Sequence, residues 1–403
     1  MPLCTRPARR LLALFVIAAA GSAAQAQITV TPRGSFERLD VAAWNVEFYG
    51  EPTEGPPDAG QAERVQAVVE RAGIDLWAFQ EVVSTTGFEA LVAAVADDGF
   101  AGVLGPNVSS SPVFNQRLAF IYRTSEVQLV STRAVVSGTN FGGRAPFEMV
   151  ADVDLGGATR RMHFIAIHAK ATSDLDSYNT RLAGSVQLKT YVDGLIAQGI
   201  PVVVLGDFND ELTTSISGGR PSPYANFTAD ANYTFATQRL NDQNIGTFCG
   251  SSPTCSTGST IDHILVGGAA ELTYVGGSGD RYGELLAGIP NYTQNTSDHL
   301  PVLAQFFVLP VAGEAGPEAV ALLAAAPSPF RQSTTLRFTL AAASDVSVEV
   351  VDVLGRTVAR LGGAYGPGEH RLVLDGAPLA AGLYRVRLRA GDAGRVPTVG
   401  RAR

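Results

Sequence analysis

The sequence predicts an α/β layered domain followed by a small all-β domain. Three observations carry this. Short apolar strands alternate with helix-spaced stretches from about Ile28 to Leu309. The composition then turns to Ala, Gly, Glu and Pro over 310–326, which reads as a linker. Beyond it, 327–403 holds only short alternating strands between Gly and Pro turns. At 403 residues, 46% hydrophobic and 17% charged, the chain is long enough for both domains.

Ahead of the first domain, Arg6, Arg9 and Arg10 precede the apolar run Leu11–Ala20. Ala24-Gln25-Ala26 then has the small-x-small form of a cleavage site. Residues 1–26 are expected to be an export signal. The apolar run is too short to span a bilayer, so no stable membrane span is expected after its removal. Losing three arginines and no acid takes the formal charge from −8 to about −11. Such a chain is not held to nucleic acid by overall charge; that substrate would need arginines and cations gathered at the site. Cys249 and Cys255 lie in the loop CGSSPTC. In an exported chain they predict a disulfide closing a small surface loop, and two thiolates make a poor zinc site.

Within 27–309, Leu39–Trp44 and Leu76–Phe79 read as strands, with helical spacing in Gln61–Ala72 and near Phe88–Ala96. Arg117–Tyr122, Phe147–Val153 and Met162–His168 are further strands, and Asn179–Ala197 is a long amphipathic helix. It leads into Val202–Leu205, a branched, wholly apolar run that reads as a strand covered on both faces. Ile261–Val266 and Val302–Phe307 complete the set.

These strands end repeatedly in polar groups: Asn45 in AAWNVEF, Glu81 in WAFQEV, His168 in FIAIHAK and Asp207 with Asn209 in LGDFND. Asp262 in STIDHILV and Asp298-His299 in TSDHLPV extend the pattern. Each has a plain reading, a turn amide, a cap or a core histidine, but scattered core strands would not all end this way. Together they suit metal-assisted cleavage of a phosphate ester. Glu81 and Asn45, with Glu47 or Asp298, offer hard oxygen ligands for Mg²⁺, with Mn²⁺ or Ca²⁺ as alternatives and zinc disfavoured by the lack of thiolates. Asp262 orienting His299, with His168 across the phosphate, would move the protons. His263 adjoins Asp262 on the strand and is expected to face the other way, in a structural role.

The order of WNVEF, FQEV, IAIHAK, GDFND, STIDHILV and SDHLPV resembles the endonuclease/exonuclease/phosphatase superfamily over about Ile28–Leu309. The resemblance implies a four-layer α/β sandwich of two packed mixed sheets flanked by helices, its site at one end. It implies metal ligation by Glu81 with Asn45, and Asp298 near the ion. Asp207 and Asn209 would contact attacking water and phosphate, and Asp262 and His299 would form a carboxylate–histidine pair. His168 would be the acid or phosphate stabiliser of the deoxyribonuclease-like branch, with Asp207 and His299 jointly taking the proton from water. Arg117, and more weakly Arg181, stand where phosphate-contacting arginines are expected. In that branch an acid from the preceding loop supports the first histidine, yet none lies between Gly99 and Gln116.

The last eighty or so residues resemble the immunoglobulin-like sorting domain of the type IX secretion system, a small β-sandwich. The resemblance rests on PSPF, TTLRFTL, VVDVLGRTVARL, GLYRVRLRAG and the basic end. It implies the secretion machinery as a partner and a detachable export domain. The whole reads as an exported phosphodiesterase, an endonuclease on DNA or RNA. A phosphatase or phospholipid phosphodiesterase on the same scaffold, or a non-catalytic surface binding protein, is the rival reading.

Overall fold

The computed structural model describes residues 28–402 apart from 36–37, 58–59, 112–113, 156–157, 251, 257, 271–272, 308–319, 341, 353–355, 391–392 and 396–397. The expected signal (1–26) and the first part of the expected linker lie outside the described residues. The first domain runs β1 (Leu39–Tyr49), α1 (Gln61–Arg71), β2 (Leu76–Val82), α2 (Thr85–Val95), β3 (Phe100–Leu104), β4 (Arg117–Arg123) and β5 (Val127–Ala134). It continues with β6 (Phe147–Leu155), β7 (Ala158–His168), α3 (Leu175–Ile196), β8 (Val202–Asp207), β9 (Tyr233–Phe235), β10 (Asp262–Gly267), β11 (Asp280–Arg281) and β12 (Val302–Phe306).

Two six-stranded sheets result, ordered β11-β12-β1-β2-β4-β3 and β5-β6-β7-β8-β10-β9. Each has one central parallel pair, β1 with β2 and β7 with β8, between antiparallel neighbours. Val41, Ala43, Phe120, Met149, Phe164, Val203, Leu205 and Ile264 form the core between the sheets. On the outside, α1 and α2 pack Val65, Val68 and Leu91 over Trp44, Trp77 and Phe79. On the other outer face, α3 packs Leu188 and Val192 over Ile165, Val204 and Leu265. This is the four-layer sandwich. It also explains the unbroken apolar run of β8, whose alternate residues serve two different cores. β3 and β5 carry weak strand signals: Gly102 interrupts the first, and the second is exposed beyond Val127.

The C-terminal domain contains β13 (Val320–Ala326), β14 (Ser333–Leu340), β15 (Ser344–Val351), β16 (Thr357–Tyr365), β17 (Gly368–Asp375), β18 (Gly382–Ala390), β19 (Ala393–Arg395) and β20 (Thr398–Arg401). They form a three-stranded and a five-stranded sheet around Phe338, Val348, Leu374, Val386 and Leu388. The expected linker is too long: Val320–Ala326 is a strand paired with β14, its alanines giving little β signal by themselves. Among the described residues, no helix is long and apolar enough to cross a membrane.

One glycine fixes how the second sheet delivers its ends. Gly206 pairs with Ile167, and the next rung sets Asp207 beside His168. Its φ is +147°, and a Cβ there would lie 2.1 Å from the Ile167 carbonyl oxygen. Gly206→Ala is therefore expected to cost about 2 kcal/mol or more, read as a fall of several degrees in the thermal midpoint. An unchanged midpoint would show that the rung tolerates a side chain.

Candidate active site

Both sheets bring strand ends to one edge. In the second sheet Asp207 has His168 as its neighbour on β7 and Asp262 opposite it on β10. In the first, Asn45 pairs with Gln80, and Glu81 leaves the ladder at φ +63° before pairing resumes between Tyr49 and Val82. Ser297 Oγ donates to the Asn45 carbonyl (2.6 Å) and accepts the His299 N–H (3.0 Å), so the segment before β12 is pinned to β1. Gln61 Nε2 donates to the carbonyls of Val46 (2.8 Å), Glu47 (2.9 Å) and Thr296 (3.1 Å), tying α1 into the same corner.

At the centre, Asn45 Nδ2 donates to Asp207 Oδ2 (3.1 Å) and Glu81 Oε1 (3.2 Å) and lies 3.5 Å from His299 Nε2. His168 Nε2 is 3.4 Å from Asp207 Oδ2 and 3.7 Å from Glu81 Oε1. His299 Nδ1 meets Asp262 Oδ2 at 2.8 Å, while its Nε2 lies 3.8 Å from both Asp207 and Asp298. Asn209, at φ +52°, donates its backbone N–H to Asp207 Oδ1 (2.8 Å) and its Nδ2 to the Ala169 carbonyl (3.2 Å). The structure thus brings Asn45, Glu81, His168, Asp207, Asn209, Asp262, Asp298 and His299 into one cluster.

The two histidines sit in opposite fields. Burial drives the His168 pKa well below the ordinary value, and Arg144 and His299 push the same way, so the ring is neutral. Burial also acts against the charged form of His299, but the charges of Asp262, Asp298 and Asp207 and the Asp262 hydrogen bond outweigh it. Its pKa lies well above the ordinary value. Asp207 is raised to about 7 by burial, against the pull of His299.

Burial, with the charges of Asp298 and Glu81, lifts Glu47 to about 8, and burial lifts Asp298 to about 6. Glu47 accepts the Asp298 N–H (2.8 Å), and Glu81 accepts the Phe48 N–H (3.0 Å). Crowded carboxylates with an amide beside them are an all-oxygen donor set that fits a hard divalent cation, which Glu81, Asp298, Asn45 and Glu47 would hold. Asp207, Asp262 and His299 also bring ligand atoms within 4.8 Å of one another. There, however, the His299 Nδ1 and an Asp262 oxygen are already committed to each other, so that trio is a proton-handling pair with a neighbour.

Arg117 and Arg181 are not free to reach a phosphate. Arg117 is buried, bonded to the carbonyls of Val82 and Val83 and to Thr85 Oγ1, and so holds the turn after Glu81. Arg181 is buried on Asp210 (2.8 Å), Ser217 and the carbonyls of Lys170 and Thr172, bracing two site loops from behind. The arginine facing the site is Arg144, which the sequence reading passed over. It donates to the carbonyls of His168 (3.2 Å) and Ala169 (2.7 Å) and to Gln116 Oε1 (2.7 Å). Its signal was an isolated arginine in the Gly-rich GGRAPF before a strand. His168 Nδ1 has no hydrogen-bond partner among the described residues, consistent with the missing loop acid.

The Cys249–Cys255 disulfide forms as expected, but both cysteines are buried rather than superficial. Its loop serves the site: Cys249 N–H donates to the Asp298 carbonyl (2.7 Å), and the Phe248 ring lies 4.9 Å from that of His299.

The profile of the Endonuclease/Exonuclease/phosphatase family matches residues 42–299. The chain belongs to this family of metal-dependent hydrolases acting on phosphate ester bonds. Its fold is similar to an endonuclease/exonuclease/phosphatase from Beutenbergia cavernae DSM 12333, at 19% identity over 90% of this chain and 100% of that one, TM-score 0.49. It is also similar to the human Nocturnin catalytic domain with bound sulfate (15% identity, 67% and 93% covered, TM-score 0.47). A third similar structure is D. rerio TDP2 complexed with a single-strand DNA product (14%, 67% and 98%, TM-score 0.46). Comparison with curated proteins finds no match.

Two outcomes follow from the electrostatics. Asp262→Asn should lower the His299 pKa in an NMR titration and cut phosphoesterase turnover by about 10²-fold or more; an unmoved pKa would refute the pairing. His263 faces away from the site, between Phe208 and Phe235, with Nδ1 on Thr237 and Nε2 on the Asp210 carbonyl. Burial lowers its pKa to about 4, against about 6.5 when unfolded. The unfolded chain binds the proton first, so stability from this residue is full above about pH 6.5 and falls by roughly 3 kcal/mol as pH drops through 4. Urea unfolding of His263→Gln should show a flatter dependence over that window; an identical slope would exclude the assignment.

Proposed function

We propose that the chain is an exported endonuclease that hydrolyses DNA or RNA by in-line attack of water on phosphorus. The observation that carries this reading is the convergence of a neutral histidine, a carboxylate-bound histidine and an oxygen-only donor set on one point. A divalent cation held by Glu81, Asp298, Asn45 and Glu47 would supply charge that polarises the phosphoryl oxygens and steadies the departing oxygen. Asp207, with a pKa of about 7, takes the proton of the attacking water, and His299, already protonated beside Asp262, faces the same gap 3.8 Å away. Asp262 fixes His299 by accepting from Nδ1, leaving Nε2 toward the phosphate. His168, neutral and next to Asp207, can donate an Nε2–H to a phosphoryl oxygen without charge repulsion from Arg144. Arg144 stiffens the His168 and Ala169 carbonyls against which Asn209 is also seated.

Export rests on the basic-apolar-small pattern of residues 1–26, and sorting by the type IX machinery on the motifs of the C-terminal β-domain.

Full-length protein recovered from the culture medium should be tested on plasmid DNA, RNA, sphingomyelin and a phosphomonoester, with Mg²⁺ or with chelator. Nicking of DNA or RNA, lost with chelator and reduced about 10²-fold or more in His299→Ala, is the expected result. Hydrolysis of sphingomyelin or the monoester alone would replace the nuclease, and no hydrolysis would leave a binding protein. Retention of the chain inside the cell would remove export.

A further inference from the structure

Far from the site, the C-terminal domain presents one strand with two unlike faces. On β18, Tyr384, Val386 and Leu388 enter the β-domain core. The alternate residues Arg385, Arg387 and Arg389 share the other face. Arginines on the outer face of a small β-domain are ordinarily solvated, yet Arg385 and Arg387 are only 5% and 4% exposed. They are covered by the catalytic domain. Arg385 Nη1 lies 3.4 Å from Glu126 Oε1, Arg387 donates to the same oxygen, and Arg389 Nη2 donates to Asp154 Oδ2 at 2.9 Å.

The acids on the other side are unusual in the same way. Glu126 is 3% exposed, in the turn between β4 and β5, and its Oε2 has no hydrogen-bond partner among the described residues. Among the described residues it pairs with Arg385 and Arg387 of the C-terminal domain, and Arg123 of its own domain also feels its charge. Asp75 and Asp40, 6% and 2% exposed, lie close enough to feel its charge. From within the catalytic domain, Arg123 answers them, 3.5 Å from Asp75. Three buried acids gathered at the base of the first sheet are thus balanced in part by a strand of another domain. Removing one side of a buried ion pair leaves the other desolvated and uncompensated, which is strongly unfavourable.

We propose that the C-terminal β-domain is a docked subunit of the enzyme, bound through its arginine strand to Glu126 and Asp154, and that cutting the connecting chain does not release it. The domain is then separable by sequence but not by a single cleavage. Because Glu126 and Asp154 lie at the end of the strands opposite to the site, docking leaves the site open.

A specific protease site placed between 308 and 319 of the full-length chain tests this without altering the interface. After cutting, the two fragments should elute together on size exclusion at physiological salt; two separate peaks would overturn the proposal. In the cut protein, Arg387→Glu should separate them, and Glu126→Arg with Arg387→Glu should bring them back together. Continued co-elution of cut Arg387→Glu, with an unchanged circular-dichroism melt of the uncut variant as the folding control, would show that something other than the arginine strand holds the domains, and would equally overturn the proposal. If Arg387→Glu melts early, Arg389→Glu takes its place with the same two readings, Asp154→Arg restoring the pair.

Discussion

At the mouth of the sandwich the two sheets are joined by side chains rather than by packing. His299 from the first sheet holds Asp262 of the second, and Asn45 of the first holds Asp207 of the second. These crossing bonds are possible because the surrounding carboxylates are stripped of water and must find donors in the protein. The backbone supplies several: Phe48 N–H for Glu81, Asp298 N–H for Glu47 and Asn209 N–H for Asp207. Glu47, Phe48, Glu81 and Asn209 all have positive φ, an unfavourable conformation for residues with side chains, and all four lie in this one corner. At Phe48 and Asn209 the strained backbone turns its N–H toward a buried carboxylate, and at Glu47 toward the Asn45 amide oxygen.

Much of this was legible in the chain because strand ends carry the chemistry. A polar residue bordering an apolar run announces both a core and an edge, and the six segments from AAWNVEF to TSDHLPV did so. What could not be read was how donors are spent. Arg117 and Arg181 look as available as Arg144 in the sequence, but two brace backbone or a buried aspartate, and only the third borders the histidine. Glu47 was harder to place because its orientation follows from two successive left-handed residues, which no alternating pattern foretells. Ser297 and Gln61 act through carbonyl oxygens, whose positions exist only once the sheets have formed. β13 escaped for a plainer reason: an alanine-rich strand looks like a linker until its partner is known.

Buried arginine is a recurring solution here. Long guanidinium side chains reach several carbonyls at once and so fasten loops that lack regular pairing. Arg117 secures the turn behind Glu81, Arg181 the loops after β7 and β8, and Arg123 lies over the Phe100 ring beside Asp75. Two of these arginines thus hold the backbone behind the catalytic edge, where Glu47, Glu81 and Asp298 gather, and the third serves the opposite end of the strands.

The strands also give the molecule a direction. The parallel pairs of both sheets run toward the catalytic edge, and the turns bearing Glu126 and Asp154 lie at their opposite ends. The second domain therefore sits at the far end of the strands from the site, and a bulky phosphate ester arriving at the catalytic edge does not meet it.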